Sequence, residues 1–318
     1  MIRPARNLRV LTWHVHGNYL YYLSHIPHEL WLVTDAQRTP HHTGRSGTLP
    51  WHANVHEVPV DQVRHADFDV VLFQSRTAWD DEQDRILSAA QQRGPRIYLE
   101  HDPPQQHPTD TRHWMDDPEV LLVHVTPFNA LMWDNGHVPV RVIEHGVRLL
   151  REVRYHGALA RGLVAVNNID RRGRRLGADV YRAAAQQVPL TLVGLGSEPL
   201  GGEGPVANDK LPERMAAHRF YFNPIRHTSL GLSVVEAMMV GAPVVALATT
   251  ELASVIRDGD TGCSDTRLDR LIDAMQRLLR DPAEAMRIGE AGRRMAAERF
   301  AIDRFVNDWD AALRLVTG

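Results

Sequence analysis

Thr228-Ser229-Leu230-Gly231 is a turn of small residues standing directly before Leu232–Val240, which reads as a helix. Gly241-Ala242-Pro243 then opens a buried strand at Val244. Such a turn presents several backbone N–H groups at a helix N-terminus, where phosphate and other anions bind well. Glu236 lies about one helical turn inside, within reach of a hydroxyl-bearing group attached to that phosphate. Phosphate beside a polyol is the chemistry of a nucleotide or a nucleotide-sugar.

The elements that must position these groups form two α/β halves. In the first, short apolar runs at Leu8–Val15, Leu30–Thr34, Phe68–Gln74, Arg96–Glu100, Leu121–Val125 and Val140–Glu144 read as strands. A helix over Asp81–Arg93, with Ile86, Leu87 and Ala90 on one face, is expected between the third and fourth, and Gly44 to Asn54 reads as a surface loop. The pattern breaks near Val147–Ala160 and then resumes. Strands are expected at Gly162–Val166, Leu190–Val193, Arg219–Asn223 and Val244–Leu247, with helices near Arg174–Gln187, Leu232–Val240, Leu268–Leu279 and Ala283–Glu298. Phe305, Trp309, Ala312 and Val316 recur every three or four residues and predict a last amphipathic helix. Strands alternating with helices favour parallel, doubly wound sheets, whose ligands sit beyond the carboxyl ends of the strands.

Composition narrows the class. A chain of 318 residues fits two domains of about 150 residues each. A formal charge of −3 argues against a broad basic nucleic-acid surface, and no nucleic-acid partner is expected. Cys263 is the single cysteine, which rules out an intramolecular disulfide and a Cys-based zinc site. The N-terminus lacks an apolar core of signal-peptide length, and no apolar run approaches the roughly 20 residues that span a bilayer. The expectation is a cytoplasmic protein, with peripheral association at the inner face of the membrane left open. No Gly-x-Gly-x-x-Gly follows the first strand, which argues against a dinucleotide-dependent dehydrogenase.

The run from Thr228 to Val245 resembles the signature of retaining GT-B glycosyltransferases of the family 4 type (glycosyl transferases group 1). There a Glu-Gly-Phe-Gly-Leu segment leads into a helix bearing a second Glu and then Gly-x-Pro-Val-Val. Gly231-Leu232 falls on the Gly-Leu pair and Glu236 on the second Glu, whereas Thr228 stands where the family has its first Glu. The resemblance is dense in the second half and scattered in the first. It implies two Rossmann-like domains facing an inter-domain cleft. These would be an acceptor-side domain over residues 1–150, a nucleotide-sugar-binding domain over 151–300, and a final helix over 301–318 that crosses back to the first.

The family's site residues carry over one position at a time. Glu236 would accept hydrogen bonds from the ribose hydroxyls, and the backbone of Leu230, Gly231 and Leu232 would cradle the α-phosphate. The family's diphosphate clamp is an Arg and a Lys. Asn168 falls on that Arg and Arg172 on that Lys, a replacement a guanidinium can serve because it binds phosphate bidentately. Thr250-Glu251 occupies the family's Gly-Gly loop. Thr228 brings no negative charge to the sugar: either the sugar is held differently, or Arg226 or His227 takes part, or no transfer occurs. In the first half Gly17 matches one Gly of the family's loop after strand one, with His16 and Asn18 as polar contacts. His101 and Asp102, at the end of the Arg96–Glu100 strand, are the catalytic candidates: His101 to orient the sugar or relay a proton, Asp102 to stabilise positive charge on the sugar. Glu144-His145-Gly146-Val147 resembles the turn that closes the family's first domain.

The resemblance thus implies transfer of a sugar from a nucleotide-diphosphate sugar donor to an unknown acceptor, with polysaccharide or glycolipid assembly as the expected setting. No cofactor or metal is expected: the departing diphosphate helps deprotonate the acceptor, and neither Asp80-Asp81, Asp116-Asp117, nor His41-His42 with His52 forms a metal set. Two other classes stand beside it, a non-catalytic nucleotide-sugar-binding protein and a nucleotide-sugar 2-epimerase.

Overall fold

The computed structural model describes residues 6–15, 17–149 and 152–318. The chain divides into two units, Met1–Gly146 with Ile302–Gly318, and Val147–Ala301.

The first unit contains β1 (Arg9–Thr12), α1 (Gly17–Leu23), β2 (Glu29–Thr34), β3 (Val55–Pro59) and β4 (Val70–Phe73). A π-helical turn, Ala78–Glu82, runs into α2 (Gln83–Ile86), and α3 (Ala89–Arg93), β5 (Arg96–Glu100), β6 (Val120–His124), α4 (Pro127–Met132) and β7 (Val140–Val142) follow. The sheet has the order β3-β2-β1-β4-β5-β6-β7, with every pair parallel. Covered on both faces, its central strands are continuous apolar runs such as Val70–Phe73, all buried. The connection reverses between β1 and β4, which is where a doubly wound sheet opens a crevice for ligands.

The expected helix over Asp81–Arg93 is not one helix. Leu87 turns extended (ψ 149°), and Ser88 starts α3 with a reciprocal cap: its hydroxyl accepts the Gln91 N–H, and the Gln91 side chain accepts the Ser88 N–H. A serine three residues before a glutamine is a helix start, and here it outweighs the apolar periodicity that runs through it.

The second unit contains β8 (Leu159–Ala165), α5 (Gly173–Leu176), α6 (Ala178–Ala185), β9 (Leu190–Val193), α7 (Leu211–Ala217) and β10 (His218–Asn223). After these come α8 (Leu232–Val240), β11 (Val244–Leu247), α9 (Leu252–Val255), β12 (Cys263–Asp265), α10 (Leu268–Arg280) and α11 (Pro282–Arg299). Its parallel sheet has the order β12-β11-β10-β8-β9, so the reversal lies between β8 and β10. The expected helix near Arg174–Gln187 is likewise two, broken at Gly177, whose backbone is left-handed (φ 78°).

The last helix, α12 (Ile302–Thr317), packs in the first unit. Phe305, Trp309 and Ala312 are fully buried while Val316 is half-buried, so the apolar stripe is anchored in its first three turns. Gly146 lies against Phe305 so closely that a side chain there would overlap the ring, and Arg304 donates to the carbonyls of Glu144 and His145. The Glu144–Gly146 turn is thus where the returning helix docks. Among the described residues no helix is long and apolar enough to cross a membrane.

Candidate functional site

At the reversal of the second sheet, the ends of β8 and β10 and the start of α8 are tied together. The Tyr221 hydroxyl, on β10, lies 3.3 Å from the Ala165 carbonyl of β8 and 2.9 Å from the Ser233 hydroxyl in the first turn of α8. Burial holds the Tyr221 phenol neutral well above its ordinary range, and the negative charge of nearby Glu236 pushes the same way. Glu236 is 5% exposed, so it stands on the inner face of α8 rather than on an open one. This tie through Tyr221 and Ser233 is one that the motif does not announce.

Gly231 caps α8 with an ordinary extended backbone (φ −69°, ψ 131°), a conformation any residue adopts. A Cβ built on it would meet nothing closer than Ser233 Oγ at 3.8 Å. Neither backbone strain nor protein packing explains the glycine, and the space beside the Leu230–Leu232 backbone is open. Gly231→Ala is therefore expected to leave the unfolding transition within about 1 kcal/mol of the parent, while nucleoside-diphosphate affinity falls about fivefold by calorimetry. Equal affinities would remove this turn from phosphate binding.

Beyond β8, Asn168 has a left-handed backbone (φ 54°), and its N–H donates to the Leu195 carbonyl at 2.6 Å. Asn167 Oδ1 accepts the Leu195 N–H at 2.8 Å, so the paired asparagines clasp the loop after β9. Asparagine tolerates this conformation better than most residues, which gives position 168 a backbone reason to be Asn. From there the chain turns, Arg172 N–H donating to the Asn168 carbonyl, into α5. The guanidiniums of Arg171 and Arg172 are exposed and make no ion pair or side-chain hydrogen bond with another described residue.

Arg226 is different. It grips Asp179 with two hydrogen bonds, of 2.5 and 2.8 Å, and donates to the Arg174 carbonyl at 2.8 Å; Arg174 also pairs with Asp179. The Arg226 guanidinium holds the Asp179 carboxyl below the usual carboxylate range. The sequence placed Arg226 among the sugar-binding candidates; the structure makes it a brace between the loop after β10 and α6, its charge already matched. Thr228 and His227 are half-buried in the same loop.

Thr250 keeps a left-handed backbone (φ 51°) without the glycine that makes it cheap. For a β-branched residue this is a true outlier, and Asn168 and Thr250 are the only non-glycine residues of the second unit, among those described, with positive φ. Both follow strand ends, where strain collects at functional sites. The next residue, Glu251, is 3% exposed and pairs with Arg299 of α11 at 2.9 Å, which locks the substituted loop.

In the first unit His101 follows β5. Gln74 donates its amide to Thr12 Oγ1 and the Trp13 carbonyl, so its Oε1 faces outward and accepts from His101 Nε2 at 3.2 Å. The His101 ring packs edge-on against Tyr19 (4.9 Å), and Tyr19 in turn accepts a hydrogen bond from Trp309 of α12. The returning helix therefore fixes the orientation of His101 through one tyrosine. Asp102 is half-buried, its N–H donating to Glu100, a carboxyl raised by burial against the opposing pull of His113. Gly17 starts α1 beside the His14 ring. His16 lies outside the described residues.

Residues 177–281 match the family model of glycosyl transferases group 1. No curated protein matches the chain by sequence. Among solved structures, a sucrose-phosphate synthase from Thermosynechococcus elongatus superposes with a TM-score of 0.70 at 16% identity, over 98% of this chain and 99% of that one. A glycosyltransferase from Rickettsia africae gives 0.67 at 11% identity, over 98% and 99%. Anabaena HepE, solved in complex with UDP-glucose, gives 0.66 at 14% identity, over 97% and 100%. At these identities the likeness speaks for the fold. The chain has the GT-B fold, and residues 177–281 of its second unit match the glycosyl transferases group 1 model.

Proposed function

We propose that the chain is a retaining glycosyltransferase that moves a sugar from a nucleotide-diphosphate sugar to an acceptor, in polysaccharide or glycolipid assembly. The observation that carries this reading is Gly231, a glycine that nothing in the protein requires, at the N-terminus of a helix whose inner face holds the buried Glu236. Glu236 takes the ribose hydroxyls, the Leu230–Leu232 amides take the α-phosphate, and Arg172 reaches the diphosphate; Asn168, Thr228 and Thr250 bound the same strand ends. Uridine diphosphate, present in the HepE complex, is the first nucleotide to test. From the first unit His101 is assigned to sugar orientation or proton relay and Asp102 to the developing positive charge. Amides and Arg172 neutralise the leaving diphosphate in this scheme, so transfer persists in EDTA.

Arg172→Ala tests the clamp. Loss of one charge-assisted pair is expected to weaken nucleoside-diphosphate binding about tenfold, with little effect on the free nucleoside. An equal loss for both would take Arg172 away from the phosphates.

A second reading is favoured by Thr228 and Arg226. The first supplies no carboxylate and the second is paired with Asp179, which suits a protein that binds a nucleotide-sugar without transferring it. Melting curves against nucleoside diphosphates and nucleotide-sugars, followed by sugar release from the best binder, separate the two. Stabilisation with slow sugar release supports the transferase, stabilisation without release the binder, and no stabilisation overturns both.

A further inference from the structure

A cavity of about 210 Å³ opens in the first unit at the carboxyl ends of β1 and β4, the reversal point of that sheet. Its lining includes Trp13, His14, Ser75 and Glu82. Glu82 is 3% exposed, and it is delivered there by the π-helical turn Ala78–Glu82, a rare backbone form that recurs at functional sites. Its Oε2 lies 2.6 Å from His42 Nε2, and His42 Nδ1 lies 3.1 Å from Asp35. Hydrogen bonds from Thr39 hold the Asp35 carboxyl down to about 2, so an ionised carboxylate faces His42 Nδ1. Glu82 is therefore positioned through His42 and Asp35, both of the loop after β2, while Arg85 donates to its other oxygen at 3.0 Å.

Trp13 forms another wall. Its ring stacks on Phe73 at 5.3 Å, it is 2% exposed, and its indole N–H meets no acceptor among the described residues. Buried donors are almost always satisfied, so an orphan at a cavity wall asks for a ligand acceptor. His14 gives Nδ1–H to the Gly44 carbonyl at 2.7 Å, which makes Nε2 an acceptor in the neutral ring. The wall groups thus include a donor (Trp13) and acceptors (Glu82, His14). An anion would meet the Glu82 carboxylate, and a cation would leave the Trp13 donor unused. A hydroxyl both donates and accepts, and several on one small ring match all three.

From this geometry we infer that the cavity is a binding site for a neutral polyhydroxylated ligand about one sugar ring in size. The volume, below the roughly 300–1,000 Å³ of pockets for drug-sized ligands, sets that limit. On the transferase reading the ligand is the acceptor; the binding site itself stands without that reading.

The test follows the Trp13 indole N–H resonance of the ¹⁵N-labelled full chain, assigned by its disappearance in Trp13→Phe. The probes are glucose, N-acetylglucosamine, myo-inositol and glycerol, with glucuronate and glucose 6-phosphate as charged counterparts. At least one neutral probe is expected to move the Trp13 resonance, and the charged ones to move it less. Glu82→Gln is expected to weaken that probe about tenfold, and Trp13→Phe, which keeps the stack on Phe73, about fivefold by saturation transfer. A Trp13 resonance unmoved by every neutral probe, or unchanged affinity in either folded variant, overturns the site. Uridine diphosphate affinity measured in parallel reports on the second unit alone, so its failure and the failure of this cavity are told apart.

Discussion

Glu236→Ala should weaken nucleoside-diphosphate binding about a hundredfold while the second unit remains folded. The size follows from two ribose hydroxyls each donating to one carboxylate. Hydrogen bonds to a charged group contribute about 1.5 kcal/mol or more apiece, and about 3 kcal/mol is a factor of roughly 100. The fold survives because alanine is the best helix former. Calorimetry with a nucleotide lacking both ribose hydroxyls closes the cycle: parent and variant should bind that analogue alike, since the interaction removed from the protein is the one already missing from the ligand. If the variant loses as much affinity for the analogue as for the full nucleotide, the carboxylate acts on something other than the ribose. Glu236→Gln, keeping shape and one acceptor but no charge, should fall between, at about tenfold.

That prediction rests on the part of the site most legible in the sequence, and the reason is local. The Gly231 turn, the Leu232–Val240 helix and the Val244–Leu247 strand are bounded by glycine and proline and fill one contiguous stretch, so pattern alone delimits them; Arg96–Glu100 and Leu190–Val193 fall on their observed bounds for the same reason. Elements whose residue types mislead were missed. The aromatic-rich α1 (Gly17–Leu23) buries every residue from Tyr19 to Leu23 and so shows no amphipathic stripe, and β3 (Val55–Pro59) is an edge strand with only two buried residues. Long-range pairing was invisible as well. Nothing near Arg226 in sequence shows that Asp179, forty-seven residues earlier, will claim its charge. Nor does any motif join Trp13, His14, Ser75 and Glu82, which line one cavity. The Thr250-Glu251 substitution was legible as a departure, yet only the backbone shows that the chain keeps a glycine-like turn there without a glycine.

Gly177→Ala should be the most damaging single-methyl change in the second unit, and its cost separates into two parts. Gly177 sits at the corner between α5 and α6 with φ 78°, a conformation that costs an L-residue about 1–2 kcal/mol. A Cβ there would also overlap the backbone carbonyl of Pro224, which cannot rotate aside as a side chain could. Forcing such an overlap adds about 1–3 kcal/mol. Together the change should destabilise the unit by about 3–4 kcal/mol, roughly 10 °C in melting temperature for a unit of this size. Gly173→Ala is the control, because Gly173 has φ 54° but nothing within 4 Å of its would-be Cβ. It should show the torsional part alone. Pro224 begins the loop that leads through Arg226 and Thr228 to Gly231, and the Arg226 N–H is itself held by the Arg175 carbonyl at 3.0 Å. Displacing Pro224 therefore displaces the loop that carries the phosphate turn, so nucleotide affinity measured on the folded fraction should fall in Gly177→Ala and hold in Gly173→Ala. If both variants melt alike and bind alike, the Gly177–Pro224 contact does not set the position of the turn, and α8 alone must hold Gly231 in place.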